Sequence, residues 1–397
     1  MAQDYFKRSL DLHQTTRGKI ATTSKVNVNS KDDLSLAYSP GVAEPCKVIA
    51  AEPERARDLT IKGNTIAVVS DGSAVLGLGN IGPLAAIPVM EGKAVLFKEF
   101  AGLDAFPICV DTQDIDDIVE TVRRIAPVFG GINLEDIAAP KCFEIESRLQ
   151  NLGIPVFHDD QHGTAIVLLA ALINACKVTG RKLEDLRVVI NGAGAAGIAI
   201  ARMLRCVNFD ASACIPVHSI IMCDSRGAIH RERRDLSPEK WEVLRYSNPK
   251  DKRGGIKELI KDADVFIGVS VADLLTKEDI ARMAPQAIVF PMANPIPEIM
   301  PDEAYEGGAA VVGTGRSDFP NQVNNVLAFP GIFKGALQAG ATTITAKMKL
   351  AAAYALADCI EEPRTDYVIP GPMEQHVVER VSAAVAKAWR EEHATAG

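Results

Sequence analysis

Four carboxylates in two pairs, Glu135-Asp136 and Asp159-Asp160, constrain this chain more than any other feature, because each pair follows a short apolar run. The stretch from Asn133 to Ala165 reads NLEDIAAPKCFEIESRLQNLGIPVFHDDQHGTA. Between the pairs, Lys141 to Leu152 is long enough for about three helical turns, and Gly153 suits a helix C-cap. The pattern predicts strand, helix, strand. A crossover of that length returns the chain to the same end of a parallel sheet, so the two acid pairs come side by side.

Adjacent carboxylates repel and are costly to desolvate. A hard divalent cation relieves both costs, and oxygen-only donors suit Mg²⁺ or Mn²⁺ better than Zn²⁺. For a single acid at a strand end, a solvated loop is the ordinary reading. Two pairs closing one unit, the second running into His162-Gly163-Thr164, favour a metal site.

The 397 residues suffice for two domains, and 47% hydrophobic with 24% charged content is that of a soluble globular protein. A net charge of −8 argues against nucleic-acid or anionic-membrane partners. No run of apolar residues is long enough to predict a membrane span, and no basic segment followed by an apolar run predicts a secretory signal. The eight cysteines include no CxxC pair, and the reading is free thiols in a cytoplasmic protein.

Residues 1–30 predict one helix over Tyr5–Gln14 and an arm with the character of a dimer contact. Ser39-Pro40-Gly41 is a turn that fixes the preceding Tyr38, for which a structural role is the ordinary reading. Strands are expected at Thr65–Ser70, Ala94–Glu99 and Phe106–Val110, with an amphipathic helix over Asp114–Phe129. An apolar helix from Thr164 to Val178, ending at Gly180, leads into further strands at Leu186–Asn191, Ser219–Cys223, Val265–Val269, Ala287–Phe290 and Ala309–Gly313. The alternation predicts an α/β chain of two domains. Residues 1–162 are expected to form the first α/β domain, which would hold the metal and the substrate. Residues 163–397 form a doubly wound, Rossmann-type NAD(P) domain with C-terminal helices. The charged segment Arg226–Gly255 reads as a solvated excursion with one helix near Trp241.

Two GxGxxG motifs compete for a dinucleotide. Such a loop needs a strand before it, a helix after it and an acid ending the next strand. Gly192-Ala193-Gly194-Ala195-Ala196-Gly197 meets all three demands, with Asp224 as the acid. Gly77/Gly79/Gly82 is followed by Pro83 and Pro88, which interrupt a helix. It is read instead as a tight turn near the substrate. Asp224 accepting from a ribose hydroxyl favours NAD, whereas Arg226 facing a 2′-phosphate favours NADP, and both readings stay open.

The chain resembles the malic enzymes, in particular the short bacterial form. The resemblance rests on LAYSPGVA (36–43), DGSAVLGLGNIG (71–82), EGKAVLFKEFAGLDA (91–105), NLEDIAAP (133–140), FHDDQHGTA (157–165), INGAGAAGIAIA (190–201), ANPIPE (293–298) and NNVLAFPG (324–331). It implies oxidative decarboxylation of (S)-malate to pyruvate and CO₂ with NAD or NADP and Mg²⁺ or Mn²⁺, in a homodimer or higher homo-oligomer. It further implies Glu135, Asp136 and Asp160 as metal ligands and Asp159 as an orienting neighbour. Lys93 is implied as general base and Tyr38 as general acid, with Asn294, Asn324 and Asn325 as substrate contacts. A lysine works as a base near neutral pH when desolvation or neighbouring positive charge lowers its pKa. Two departures stand out: Ala74 where larger relatives carry an Arg, and His162 where they carry a Gln. Arg17 or a partner subunit is left to neutralise the substrate carboxylate.

Overall fold

The computed structural model describes residues 5–394. Three N-terminal helices, α1 (Tyr5–Thr16), α2 (Lys31–Ala37) and α3 (Ala43–Ala51), bury no side chain. They lead into a four-stranded sheet of β1 (Thr65–Ser70), β2 (Asp104–Cys109), β3 (Gly131–Leu134) and β4 (Val156–His158). The order is β2-β1-β3-β4 and every pairing is parallel. β1 reads TIAVVS and is buried along its whole length, as a central parallel strand covered on both faces must be.

Helix α4 (Gly82–Leu96) packs on β1 and β2 and runs on through a wider π-helical turn at Phe97–Ala101. This corrects two expectations. Ala94–Glu99 is helical, and Pro83 and Pro88 do not break the element. Pro83 occupies the first turn, where its missing N–H costs nothing, and Pro88 is absorbed inside the helix. The buried residues Ala86, Met90, Lys93, Ala94, Phe97 and Ala101 recur at helical spacing, and that stripe overrides the strand-like run AVLF. Helices α5 (Ile115–Ile125) and α6 (Lys141–Leu149) supply the remaining crossovers.

Helix α7 (Asp159–Thr179) starts five residues earlier than Thr164, so Asp159 and Asp160 form its first turn. Gly180 caps its far end in the left-handed region, at φ 67°. By length and composition alone α7 could cross a membrane, but most of it is buried inside the protein. It leads to a six-stranded sheet of β5 (Arg187–Asn191), β6 (Ser219–Asp224), β7 (Gly227–Ala228), β8 (Val265–Gly268), β9 (Ala287–Pro291) and β10 (Ala309–Val312). The order is β10-β9-β8-β5-β6-β7, parallel except for the short β7. The strand order reverses at β5, where doubly wound sheets open a crevice for a ligand. Helix α8 (Ala195–Leu204) follows β5, and α9 (Pro238–Val243) lies in the charged excursion.

The C-terminal helices α10 (Phe329–Gln338), α11 (Ala346–Ala357) and α12 (His376–Ala394) pack on one another and on α7. α10 also reaches the first sheet: Phe333 lies edge-on to Phe97 and Phe157 with ring centroids at 5.5 and 5.9 Å. The free-thiol expectation fails at one pair, since Cys206 and Cys214 are disulfide-bonded. α8 ends just before Cys206, and the turn after it brings Cα atoms eight residues apart within 5.8 Å.

Candidate active site

The register Leu134↔His158 aligns the ends of β3 and β4, and the acids that follow each strand meet there. One carboxylate oxygen from each of Glu135, Asp136 and Asp160 falls within 4.8 Å of the others. The Asp136 backbone N–H donates to Asp160 Oδ2 at 2.8 Å, tying the two loops together. Asp136 holds a φ of 54°, a left-handed conformation uncommon for a non-glycine residue and frequent where a site demands it. Asn133 Nδ2 donates to Glu135 Oε2 at 2.8 Å and orients that carboxylate.

Lys93 enters from α4, only 7% exposed. Its Nζ lies 2.7 Å from Asp159 Oδ2, 2.9 Å from Glu135 Oε1 and 4.3 Å from the centroid of the Phe329 ring. Burial alone would lower its pKa. Asp159, Glu135 and Asp160 outweigh burial and hold the ammonium well above its usual range. These protein neighbours thus act against the lowered pKa expected of a catalytic lysine, because they are anions. Burial raises Glu135, Asp159 and Asp160 above ordinary carboxyl values, with Lys93 opposing, and for Glu135 and Asp159 like charge adds to the rise.

Three carboxylates, those of Glu135, Asp159 and Asp160, act on Lys93. The buried Asp159 Oδ1 makes no hydrogen bond. Such a set of hard oxygen donors is short of positive charge and fits a divalent cation of the Mg²⁺ or Mn²⁺ kind, with Glu135, Asp136 and Asp160 as holders.

The first glycine motif forms a turn beside this cluster. A Cβ at Gly77 would lie 2.4 Å from the Asn294 carbonyl oxygen, so the two loops touch backbone to backbone. The Ala74 N–H donates to the Asp136 carbonyl, so this position contributes backbone and no cation. Asn325 packs on the first turn of α7, where its Cβ would lie 3.1 Å from a Cβ built on Gly163. Asn324 Oδ1 caps the turn that follows it by accepting from Val326 N at 3.0 Å. Asn294 is exposed.

Tyr38 is the exception. It ends α2, 69% exposed, and is not among the groups that surround Lys93. Arg17 is likewise exposed, at the end of α1. His162 is occupied within the fold, its Nε2 3.0 Å from Glu146 of α6.

In the second sheet, β5 runs into Gly192–Gly197 and α8. A Cβ on Gly197 would lie 1.8 Å from the Gly192 carbonyl oxygen, so the residue must be glycine for the helix to leave the strand this tightly. Around Gly194 nothing lies within 4 Å of such an atom, and no side chain caps the helix. With Ala193, Ala195 and Ala196 as its neighbours, no large side chain stands at this helix start, an arrangement that fits a pyrophosphate. Asp224 ends the adjacent β6.

Some supports had not been singled out from the sequence. Glu298 is fully buried and accepts from Ser270 N and Ala293 N at 2.9 and 3.0 Å, bracing the loop that carries Asn294. Lys141 pairs with the buried Asp71 at 2.5 Å, under the Gly72 turn. Arg233 and Lys240 both reach Asp224. An acid inside the Pro-flanked ANPIPE is the one available signal for Glu298. For the others the partners are too far apart in sequence to be paired by inspection.

Comparison with known proteins gives a consistent result. A family model described as malic enzyme, NAD binding domain, matches residues 161–392, and one described as malic enzyme, N-terminal domain, matches residues 16–115 and 112–150. The bifunctional malic/malolactic enzyme of Bacillus subtilis is 58% identical over 389 residues, covering 97% of this chain and 93% of that protein. The NAD-dependent malic enzyme of Geobacillus stearothermophilus is 56% identical, covering 94% and 76%. The crystal structure of the NAD-dependent malic enzyme from Thermotoga maritima superposes with a TM-score of 0.90 at 46% identity, covering 95% of this chain and 98% of that one.

Proposed function

Because this chain belongs to the malic enzyme family, we propose that it oxidatively decarboxylates (S)-malate to pyruvate and CO₂, reducing NAD⁺ or NADP⁺ with Mg²⁺ or Mn²⁺ as cofactor. The observation that carries the reading is the convergence of Glu135, Asp136 and Asp160 within 4.8 Å, with Lys93 against Glu135 and Asp159. We divide the chain after residue 162, close to residue 161, where the match to the NAD-binding family model begins.

The cation supplies polarisation of the substrate oxygens, and the nicotinamide supplies an acceptor for hydride. The protein's own residues do the rest. Hydride leaves C2 only as the C2 hydroxyl loses its proton, and Lys93 is assigned as the base. Asp159, 2.7 Å from Lys93 Nζ, holds the amine in position. A cation held by Glu135, Asp136 and Asp160 would take up part of the carboxylate charge, and Lys93 would then release its proton more readily. Loss of CO₂ leaves C3 to be protonated, and Tyr38 is assigned that step. Asn294, Asn324 and Asn325 offer neutral hydrogen bonds to the substrate carboxylates.

We assign the active site to a homodimer. Tyr5, Phe6, Leu10, Leu36 and Tyr38 are exposed on helices that bury nothing in their own chain, an apolar surface suited to a second copy. Tyr38 then meets Lys93 across the interface. Lys93→Ala and Tyr38→Phe are each expected to lower turnover by roughly 10²- to 10⁴-fold. Mixing the two inactive proteins after subunit exchange is expected to restore about a quarter of the activity, since half the dimers carry one intact site. No recovery despite demonstrated exchange would return Tyr38 to its own chain. Pyruvate, oxaloacetate and lactate are to be assayed with Mn²⁺ or with chelator. Metal-dependent pyruvate supports the reaction, and oxaloacetate alone would overturn it.

A further inference from the structure

The sequence offers Asp224 as an acceptor for the adenosine ribose, and the structure removes that role. A carboxylate has room for about four hydrogen bonds. Asp224 already accepts four. Its Oδ1 takes the Arg226 backbone N–H at 3.0 Å and Arg233 Nη1 at 2.7 Å. Its Oδ2 takes Arg233 Nη2 at 3.0 Å and Lys240 Nζ at 2.6 Å. The Asp224 side chain is only 8% exposed, so no face is left for a ribose diol.

A second acid completes the cluster. Asp235 accepts from Arg233 Nε at 3.0 Å, from Arg233 Nη2 at 2.6 Å and from Arg226 Nη1 at 3.0 Å. Arg226, Arg233 and Lys240 against Asp224 and Asp235 make three positive charges to two negative, a surplus of one. The guanidinium of Arg233 is buried between the two acids. Arg226 and Lys240 are the cations nearer water, with side chains 70% and 27% exposed. All of this lies beside the dinucleotide loop, because Gly192 N–H donates to the Cys223 carbonyl next to Asp224.

Resting on the reading of the second sheet as the NAD(P) site, we infer that Asp224 is a positioning residue which, with Arg233, holds Lys240 and Arg226 to receive the 2′-phosphate of NADP⁺. A free acid at this place would repel that phosphate. A neutralised one flanked by two cations attracts it. The specificity determinant is thus assembled from the charged excursion 226–255 and not from the end of β6 alone.

The probes are 2′,5′-ADP and 5′-AMP, which differ only in the 2′-phosphate. Their binding to the full-length protein is measured by calorimetry with neither malate nor metal present. The expected result is a preference of about tenfold or more for 2′,5′-ADP, falling by about tenfold in Lys240→Ala or Arg226→Ala and recovering in Lys240→Arg. Affinity for 5′-AMP should hold within about twofold in each variant, which also reports that the site is folded. Equal or tighter binding of 5′-AMP by the unaltered protein overturns the inference, as does a preference retained in both alanine variants. Loss of malate turnover with this preference intact would count against the proposed reaction and leave the nucleotide assignment standing.

Discussion

Asp224 shows how a single residue changes meaning between sequence and structure. Burial alone would raise its pKa, but Arg233 and Lys240 prevail and hold it down to about 2. A carboxyl depressed below its unfolded value, about 3.9, stabilises the folded state above that pH and loses the contribution as pH falls through about 2. Asp224→Asn is therefore expected to lower the denaturant midpoint, with a smaller gap from the unaltered protein at pH 3 than at pH 6. Equal gaps at both pH values would dissolve the pairing. Residue identity was legible where spacing carries chemistry: Glu135, Asp136, Asp159 and Asp160 announce a shared site from the sequence. The state of Lys93 was not, because the acid that governs it lies 66 positions away. Nor was the occupation of His162 by Glu146, a contact between two helices that only packing brings together.

Among the elements, the dinucleotide loop and α8 read clearly, since a strand, three glycines and a proline-free helix leave few alternatives. Gly194 and Gly197 then separate two demands that the motif merges. Gly197→Ala pushes a methyl into the Gly192 carbonyl and is expected to destabilise the protein by about 1–3 kcal/mol. Gly194→Ala meets open space and is expected to leave the thermal midpoint alone while weakening nucleotide binding, because that space is where a pyrophosphate fits. Melting curves and nucleotide titrations of both variants check this; a destabilised Gly194→Ala would show that the space is not open. By contrast, Ala94–Glu99 was misread. A six-residue window sees AVLFKE as a strand, whereas the stripe from Ala86 to Ala101 shows the helical period only over a longer span.

For the molecule as a whole, a cation held by the acids at the junction of β3, β4 and α7 would couple metal binding to stability. A ligand bound only by the folded state stabilises it by about 2.7 kcal/mol at a hundredfold excess over its Kd. Mn²⁺ is expected to raise the melting temperature, chelator to reverse the rise, and Asp160→Asn to abolish it. A melting temperature indifferent to Mn²⁺ in the unaltered protein would remove the metal seat. The two-sheet α/β architecture was legible from alternation of strand and helix patterns, while the Cys206–Cys214 bond was not, since the turn that closes it leaves no spacing signature. Of the exposed helices α1–α3 only α1 was legible, within the arm expected over residues 1–30, because helices that bury nothing in their own chain carry little hydrophobic period to read.

One consequence follows from where the acids are mounted. Glu135 and Asp136 belong to the end of β3, whereas Asp160 belongs to α7, a long rod whose buried Asn174 donates to the Ala357 and Val368 carbonyls at 2.9 and 3.1 Å. A cation held by all three acids therefore does more than chemistry. It would be a further clasp between the head of the rod and the first sheet, added to the Asp136–Asp160 hydrogen bond that already joins them, so that filling the proposed site would also stiffen the junction between the two halves of the protein.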